Sequence, residues 1–337
     1  MNIPALLLVV GSVVVLTAGA ELLVRGAAAL ALRMGISALA VGITVVGFGT
    51  STPELGASIT ASLAGNTDLS IGNVVGSNIF NIAVILGMTA LARPIAMRIG
   101  LVGRDLIVVV LVAFIPWLAL PLEGFIPRWL GALLVLALAG YLAMTVRRAR
   151  RLSAIDAATA AAELDRTLAR PGEDRLPGRP WFNIVLVIVG LALLVVGSHF
   201  FVNSATVLAR SLGVSDLVIG LTIVAAGTSM PELVTSVVAA VRGSPDIAIG
   251  NVIGSNIFNA LGILGVAAMI EPQAVSAQVL WLDAPVMLGA SVILVPLLWT
   301  RGRLSRGEGL LLVGGYIAYV VVLLTLSPTW FEVPPTQ

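Results

Sequence analysis

Ten apolar runs dominate the amino-acid sequence, and each is long enough, or nearly so, to cross a lipid bilayer. Only 11% of the 337 residues are charged, whereas a soluble domain carries roughly a quarter. Backbone groups inside lipid must be paired within the protein, so we expect each run to form a helix. The runs occupy 3–24, 36–64, 69–92, 105–121, 125–146, 181–209, 214–241, 247–270, 279–299 and 308–326. The predicted fold class is therefore all-α, a polytopic membrane protein of about ten transmembrane helices.

Arginine is distributed very unevenly among the loops that join these runs. The chain has no lysine, and 17 of its 19 arginines fall in or next to the odd-numbered loops, counted from the N-terminus. Only Arg128 and Arg210 belong to the other side. Basic residues are enriched on the cytoplasmic side of a membrane, so we expect the odd-numbered loops, called here the arginine-rich side, to be cytoplasmic. This predicts a multi-pass protein of the plasma (inner) membrane, with both termini outside and the polar 147–180 segment in the cytoplasm.

The sequence aligns with itself without gaps when it is shifted by 178 residues. Segment 49–81 matches 227–259 at 20 of 33 positions, and the shared residues read G-T-S-x-P-E-L and I-G-N-V-x-G-S-N-I-F-N. The same register pairs Asp105 with Asp283, which we expect to cap helices or to pair with arginine. Internal repeats of this kind are typical of secondary transporters.

The shift spans an odd number of helices, so the second copy must enter the membrane from the opposite side. We predict a first five-helix repeat over 1–146 with its best-matched motif at 42–87. A cytoplasmic linker over 147–180, with a short amphipathic helix, precedes an inverted second repeat over 181–327 with its motif at 220–265. Inverted repeats bind a transported substrate near the midplane, where they meet. A duplicated structural bundle is the alternative, but it does not easily explain why polar residues inside apolar helices match best.

Two glutamates at equivalent positions, Glu54 and Glu232, lie deep within apolar runs. A carboxylate inside the bilayer is costly and needs a partner, yet no basic residue lies in the middle of any run. A bound cation is the natural partner, and a pair of protonated carboxyls held by helix–helix hydrogen bonds is the alternative. Pro53 and Pro231 each remove a backbone donor, so we expect both helices to break there and to free carbonyl groups.

Oxygen atoms dominate the side chains around the two glutamates. Hydroxyl, amide and freed carbonyl oxygens suit hard cations, and Ca²⁺ in particular accepts about six to eight oxygens in irregular geometry. Soft metals prefer sulfur or imidazole, and the chain has no cysteine and one histidine. The predicted cation ligands are Glu54, Glu232, Thr50, Ser51, Thr228, Ser229, Ser77, Asn81, Ser255 and Asn259, with main-chain carbonyls at Gly47 and Ala225.

Composition and motif content exclude several classes of protein. The absence of cysteine excludes disulfides and thiol catalysis, and no His–acid constellation or nucleophile elbow is recognisable. We therefore expect no enzymatic activity, no cofactor and no nucleic-acid partner. A channel usually conducts along an oligomer axis, whereas broken helices from two inverted halves of one chain favour a transporter that works in the bilayer as a monomer.

The two copies of G-T-S-x-P-E and G-N-x-x-G-S-N-x-F-N resemble the alpha repeats of the cation/Ca²⁺ exchanger superfamily, and within it those of the prokaryotic Na⁺/Ca²⁺ exchangers. The resemblance covers nearly the whole chain. It implies antiport of Ca²⁺ against Na⁺, in which the first and sixth helices slide past a fixed core formed by the others. It also assigns the ion site to the ligand residues given above, with Ca²⁺ and Na⁺ as the transported partners.

One position departs from the pattern of many relatives, which carry aspartate where this chain has Asn259. With amides at both Asn81 and Asn259 the site has two acids, which weakens the case for K⁺ co-transport. Two ionised glutamates balance one Ca²⁺ or two Na⁺. A third Na⁺ would make exchange electrogenic, at about 2.3 kcal/mol per charge per 100 mV. The alternative is a Ca²⁺/H⁺ antiporter, in which the glutamates carry protons.

Two further features are expected to be structural. Gly72 with Gly76, and Gly250 with Gly254, form G-x-x-x-G pairs that let helices approach closely, and we expect them to bring the helix with Ser77 and Asn81 against the Glu54 helix. The second feature is an exception to the repeat: Glu21 aligns with His199, so this position is not symmetric and is left out of the site.

Overall fold

The computed structural model describes residues 3–96, 99–168, 180–212 and 225–330, which are almost entirely helical. The helices are α1 (Ile3–Met34), α2 (Ala38–Val41), α3 (Gly47–Thr50), α4 (Thr52–Leu63), α5 (Thr67–Phe80), α6 (Leu86–Ala92), α7 (Ile99–Val112), α8 (Arg128–Leu168), α9 (Pro180–Ser211), α10 (Ala225–Thr228), α11 (Met230–Val241), α12 (Pro245–Ile257), α13 (Leu264–Ile270), α14 (Ala284–Arg301) and α15 (Arg306–Trp330). The segments Gly42–Val46, Asn81–Ile85, Phe258–Ile263 and Val279–Asp283 are π-helical, and Ile115–Leu122 is a 3-10 helix.

The described helices fit a multi-pass membrane protein. Eight continuous helical stretches among the described residues are long and apolar enough to span a bilayer, and several of them include a π-helical or 3-10 segment. The stretch from α2 to α3 meets α4 at a bend of 45°, and the two together would make a ninth span. The tenth predicted run, 214–241, is described only from Ala225, and its second half is the short apolar helix α11. An all-α membrane protein is therefore confirmed, while 213–224 lies outside the described residues.

Helix α8 extends well beyond its predicted end at residue 146. It contains 41 residues, of which the membrane-spanning part runs from Arg128 to Ala149. The short separate helix predicted within 147–180 is instead a continuation of α8 to Leu168. The Ala-rich stretch there consists mainly of good helix formers, and proline first appears at Pro171. The predicted turns over 169–179 lie outside the described residues.

Two short antiparallel strand pairs connect the halves of the chain. Strand β1 (Ile95–Ala96) pairs with β4 (Arg303–Leu304), and β2 (Phe125–Ile126) pairs with β3 (Gln273–Ala274). A shift of 178 residues converts β1 into β3 and β2 into β4, so it exchanges the two pairs. The sequence did not predict these strands because two residues are too short to show an alternating pattern.

Helices α1 and α9 pack along each other and form what we call the α1–α9 pair. Gly19 and Gly190 permit this approach, because a Cβ added to Gly19 would lie 2.9 Å from the Gly190 carbonyl oxygen. The pair contributes Leu16, Leu23 and Leu194 to a hydrophobic cluster separate from the larger core formed mainly by α5–α8 and α12–α15. The molecule thus consists of a two-helix layer against a larger helical body.

The predicted close approach is found at Gly250 and Gly254, but the helix that they bring against the Glu54 span is the one with Ser255 and Asn259, not the expected helix with Ser77 and Asn81. A Cβ at Gly250 would lie 2.6 Å from the carbonyl oxygen of Leu39, and Gly254 packs as closely against Ile43, so α12 touches the first half of the bent span that carries Glu54. At Gly72 and Gly76 no described atom lies within 4 Å of an added Cβ. Their expected neighbours by the repeat, 217–221, lie outside the described residues.

Candidate ion-binding site

Each of the two buried glutamates lies in the first turn of a helix that follows a break. Ser51 (φ −81°, ψ 11°) separates α3 from α4, and Ser229 (φ −90°, ψ 10°) separates α10 from α11. Pro53 and Pro231 then fall within the first turn, where backbone N–H groups have no helical acceptor and a missing donor costs little. The predicted breaks are confirmed, each two residues before its proline.

Two buried hydrogen bonds cross between the halves of the chain. The Ser51 hydroxyl donates to Glu232 Oε1 at 2.8 Å, and the Ser229 hydroxyl donates to Glu54 Oε1 at 2.7 Å. All four side chains are at most 1% exposed. Because each serine lies three residues before the glutamate of its own helix, this exchange brings the starts of α4 and α11 face to face. The two carboxylates therefore share one site.

Several buried polar atoms around this exchange have no hydrogen-bond partner among the residues that the structure describes. They are Oε2 of Glu54 and of Glu232, Oδ1 of Asn81, and both side-chain amide atoms of Asn259. Buried polar groups in native proteins are nearly always satisfied, and an unpaired charged oxygen is costly. Carboxylate and amide oxygens without protein donors are the ligands that a hard cation takes.

The two asparagines lie on π-helical segments of facing helices. Asn81 begins the Asn81–Ile85 segment, and Asn259 lies in the Phe258–Ile263 segment. The Asn81 segment packs against α11, and the Asn259 segment packs against α4, so each amide helix contacts the glutamate helix of the other half. Single π-helical turns are frequent at functional sites. They carry no sequence signature and were therefore not predicted.

The end of α3 contributes polar groups from the other side of the break. The Gly47 carbonyl accepts hydrogen bonds from the Ser51 N–H and from the Ser255 hydroxyl, both at 3.3 Å. The buried Thr50 hydroxyl donates to the Val46 carbonyl at 3.0 Å. The C-terminal end of a helix carries partial negative charge, and such half-helix ends coordinate cations in transporters. The first half of the site thus combines the C-terminal end of α3 with the carboxylate of α4.

The remaining predicted ligands are less completely defined. Ser77 is buried on α5 one turn before Asn81, and its side chain has no hydrogen bond to another predicted ligand among the described contacts. Thr228 ends α10 and is half-buried, and Ala225 begins the same helix. The described contacts therefore link Gly47, Ser51, Glu54, Ser229, Glu232 and Ser255 directly.

Two asparagines that the sequence analysis did not single out hold the glutamate helices in position. Asn73 Nδ2 donates to the Glu54 carbonyl at 3.1 Å and to Ser58 Oγ at 2.9 Å. Asn251 Nδ2 donates to the Glu232 carbonyl at 3.2 Å and to the equivalent serine hydroxyl at 2.9 Å. The sequence did contain one indication of these residues, because both asparagines occupy the same position in the repeated I-G-N stretch.

The paired aspartates lie in contacts of their own, apart from these ligands. Tyr141 donates to Asp105 Oδ1 at 2.9 Å, and Tyr319 donates to Asp283 Oδ1 at 3.0 Å. Arg148 Nη1 lies 3.9 Å from Asp105 Oδ2, so the predicted arginine partner is confirmed for this residue. The alternative that Asp105 caps a helix is wrong, because α7 begins several residues earlier.

The fold and the site together define a multi-pass helical membrane protein with a buried, oxygen-lined polar site between two similar halves. The family described as "Sodium/calcium exchanger protein" matches residues 4–147 and 182–325, and the chain belongs to this family. The resemblance inferred from the two motifs is thereby confirmed.

Individual relatives agree with this assignment. The inner membrane protein YrbG of Escherichia coli is 37% identical over 285 residues, which cover 84% of this chain and 85% of the relative. The sodium/calcium exchanger MaX1 of Methanosarcina acetivorans is 34% identical over 298 residues, or 81% and 85% of the two chains. A solved structure of the sodium-calcium exchanger NCX_Mj, soaked with zero Na⁺ and Ca²⁺, matches with a TM-score of 0.79 at 30% identity, over 96% of this chain and 100% of that one.

Proposed function

We propose that this protein is a secondary active antiporter that exchanges Ca²⁺ for Na⁺ across the inner membrane by alternating access. The observation that carries the proposal is the reciprocal bonding of Ser51 to Glu232 and of Ser229 to Glu54, which leaves one oxygen of each buried carboxylate without a donor among the described residues. Membership of the sodium/calcium exchanger family supports cation/Ca²⁺ exchange. Two carboxylates match the charge of one Ca²⁺ or two Na⁺.

The proposed ligands are the oxygens that converge on the two helix breaks. Hard cations require several oxygens at once, and the pairing of carboxylates with hydroxyls, amides and carbonyls from both halves supplies them. The full set is Gly47, Thr50, Ser51, Glu54, Ser77, Asn81, Ala225, Thr228, Ser229, Glu232, Ser255 and Asn259.

The proposed architecture is ten transmembrane helices in two inverted five-helix repeats, joined by the cytoplasmic segment 147–180, with both termini outside. A direct contact between residues 178 positions apart supports it, since Asn78 Nδ2 donates to the Asn256 carbonyl at 3.2 Å. Equivalent residues touch each other only close to an axis that relates the two halves. The exchange of the strand pairs and the two Tyr–Asp contacts in the same register support the same architecture.

Transport in liposomes is the direct test of this function. We expect the purified protein, loaded with internal Na⁺, to take up radioactive Ca²⁺ when external Na⁺ is absent. Replacing internal Na⁺ by choline should abolish uptake. A pH gradient without Na⁺ tests the alternative Ca²⁺/H⁺ antiporter, and uptake driven by that gradient alone would replace Na⁺ by H⁺ in the proposal.

Substitution of either glutamate tests the ligand assignment. We expect Glu54→Gln and Glu232→Gln each to reduce uptake to background, because each removes a negative charge that the bound cation requires. Glu271→Gln is the matched control, since Glu271 forms an exposed ion pair with Arg128 at 3.1 Å on the surface. Full exchange by either site variant, in protein that remains monodisperse, would refute the assignment.

A further inference from the structure

Helices α4 and α11 hold equivalent positions in the repeat, but they are not equally covered. Thr52, Gly56, Ala57 and Thr60 of α4 are exposed, whereas the residues 178 positions later on α11 are buried or half-buried. Both helices begin at the proposed ion site and run away from it toward opposite sides of the membrane. The outer face of α11 is therefore more closely covered than that of α4, while the glutamates and serines of the site are buried.

Helix α1 provides the cover on α11. Ala27, Ala28 and Ala31 of α1 share a hydrophobic cluster with Ala239 and Ala240 at the end of α11. Among the described contacts of α9, the repeat equivalent of α1, are α3, α10 and α11, and α4 is not one of its main neighbours. The α1–α9 pair thus lies closer to one half of the body than to the other.

An ion pair joins α1 to the residue that follows α11. Arg242 Nη2 contacts Glu21 Oε2, and the other oxygen of Glu21 accepts a hydrogen bond from Arg25 Nε at 2.5 Å on the same helix. The Glu21 side chain is 19% exposed and that of Arg242 is 30% exposed. Partial shielding from water makes such a pair stronger than a freely exposed one.

The end of α11 is itself fixed to the larger helical body. Arg93 follows α6, and its Nη1 donates to the carbonyls of Ala240 at 3.2 Å and Val241 at 2.9 Å. The Ala240 carbonyl also accepts from the Gly243 N–H at 3.0 Å, so Arg93 supplements the backbone bonds that close this helix end. Arg242 is therefore attached to a fixed element, and the bond to Glu21 connects that element to the α1–α9 pair.

The repeat has no equivalent of this ion pair on the opposite side of the membrane. The residues that correspond to Glu21 and Arg242 are His199 and Ala64, which cannot form an ion pair with each other. His199 Nε2 instead lies 2.9 Å from Asn203 Nδ2 of its own helix. The ion pair is thus a contact of the arginine-rich side that the repeat does not reproduce on the other side.

We propose that Glu21 and Arg242 are positioning residues of the transport cycle that hold the α1–α9 pair against α11, keeping the arginine-rich side of the ion site closed. The proposal rests on the proposed function, because alternating access requires α1 to leave the end of α11 when that side opens. The ion pair contributes only to the closed arrangement, so it shifts the population toward access along α4. A partly exposed pair changes this ratio by about fivefold.

Cysteine labelling measures this population directly, since the chain contains no native cysteine. Val238 on α11 packs against the cluster that includes α1, whereas its repeat equivalent, Thr60 on α4, is exposed. In the Val238→Cys protein we expect slow reaction with a polar maleimide. Adding Glu21→Gln or Arg242→Gln should accelerate the reaction of the Val238→Cys protein about fivefold. The same substitutions in the Thr60→Cys protein should slow its reaction.

Three controls separate the ion pair from general loosening of the fold. Glu271→Gln removes a glutamate from a pair that does not involve α1, and should leave both labelling rates unchanged. The double variant Glu21→Gln/Arg242→Gln should react no faster than either single variant, because each alone abolishes the pair. A cysteine at the fully buried Ile82 should remain unreactive throughout.

Ionic strength provides a test without substitution of either charge. Choline chloride should accelerate labelling of the Val238→Cys protein, because salt screens partly exposed charges, and should do so much less in the Glu21→Gln background. Labelling that is insensitive both to the substitutions and to salt would overturn the proposal. The assay needs no ion flux, so a lack of Na⁺-driven Ca²⁺ uptake would contradict the proposed function and leave the labelling result intact.

Discussion

Ser51 and Ser229 match a local capping pattern in the sequence but form long-range hydrogen bonds in the structure. Each begins an S-x-x-E sequence at the start of a helix, the pattern of a capping box in which serine and glutamate bond the backbone of their own helix. Neither serine caps its own helix here. Each hydroxyl instead donates to the glutamate of the opposite half, which leaves the second carboxylate oxygen for an ion.

Removing one of these hydroxyls should weaken ion binding without preventing folding. In Ser51→Ala, Glu232 Oε1 loses its donor, and hydrogen bonds to charged groups contribute about 1.5–3 kcal/mol. We expect the apparent Ca²⁺ affinity to fall roughly ten- to a hundredfold in the liposome uptake assay. Thr52→Ala is the neighbouring control, because Thr52 bonds only to carbonyls of its own turn. Equal affinities in the two variants would contradict the role given to Ser51.

Sequence could supply the identities of these residues but not their partners. The polar positions within apolar runs, and the two matched glutamates, are visible from composition and register alone. Whether Ser51 bonds to Glu54 or to Glu232 depends on the packing of helices 181 residues apart. Asn73 and Asn251 were missed for a similar reason, because an asparagine inside a helix gives no indication of which carbonyl it reaches.

At the level of helices, the broken ends are held in place by asparagine side chains that form hydrogen bonds to them. Asn251 is fully buried, its Oδ1 lies 3.0 Å from the Thr50 hydroxyl and shares that donor with the Val46 carbonyl, and its Nδ2 donates to the backbone of Glu232. It therefore links the α3 end of one half to the glutamate helix of the other. The prolines determine where each helix breaks, and the asparagines keep the broken ends together.

We expect Asn251→Ala to lower the free energy of unfolding by about 1–3 kcal/mol, because several buried polar groups lose their partner. Asn73→Ala should cost less, since Asn73 is only half-buried and its partners are reached more easily by water. Asn66→Ala is the control for an asparagine at a helix start without a side-chain cap bond, and should change stability little. Denaturation in detergent measures the loss of stability in each of the three variants. A larger loss for Asn73→Ala than for Asn251→Ala would contradict the role given to Asn251.

Element lengths were predictable where hydrophobicity limits them and unpredictable elsewhere. The apolar runs predicted the approximate lengths of the membrane-spanning helices, because the thickness of the bilayer sets a minimum length for each of them. Nothing comparable limits α8 beyond Ala149, so good helix formers carry it to Leu168. The π-helical segments and two-residue strands arise from packing between the halves, which no local window of sequence contains.

On the scale of the whole molecule, the two halves have similar sequences but differ in packing. The 178-residue register relates the strand pairs, the Tyr–Asp contacts and the serine–glutamate exchange. The exposure of α4, the cover on α11 and the ion pair between Glu21 and Arg242 do not follow it. The similarity of the halves could be derived from the sequence, whereas their difference in packing required the structure, because equivalent residues in the two halves have different neighbours.

Dependence on membrane potential tests the charge balance of the complete cycle. Exchange of three Na⁺ for one Ca²⁺ moves one net positive charge in the direction of Na⁺, so an inside-positive potential should accelerate Ca²⁺ uptake into Na⁺-loaded liposomes. One charge corresponds to about 2.3 kcal/mol per 100 mV, which changes the final Ca²⁺ gradient about fiftyfold. Potentials set by valinomycin and K⁺ gradients of either sign provide the measurement, with Glu232→Gln as the background. A gradient that does not respond to potential would indicate electroneutral exchange of two Na⁺ for one Ca²⁺, the ratio at which two ionised glutamates are fully balanced in both loaded states.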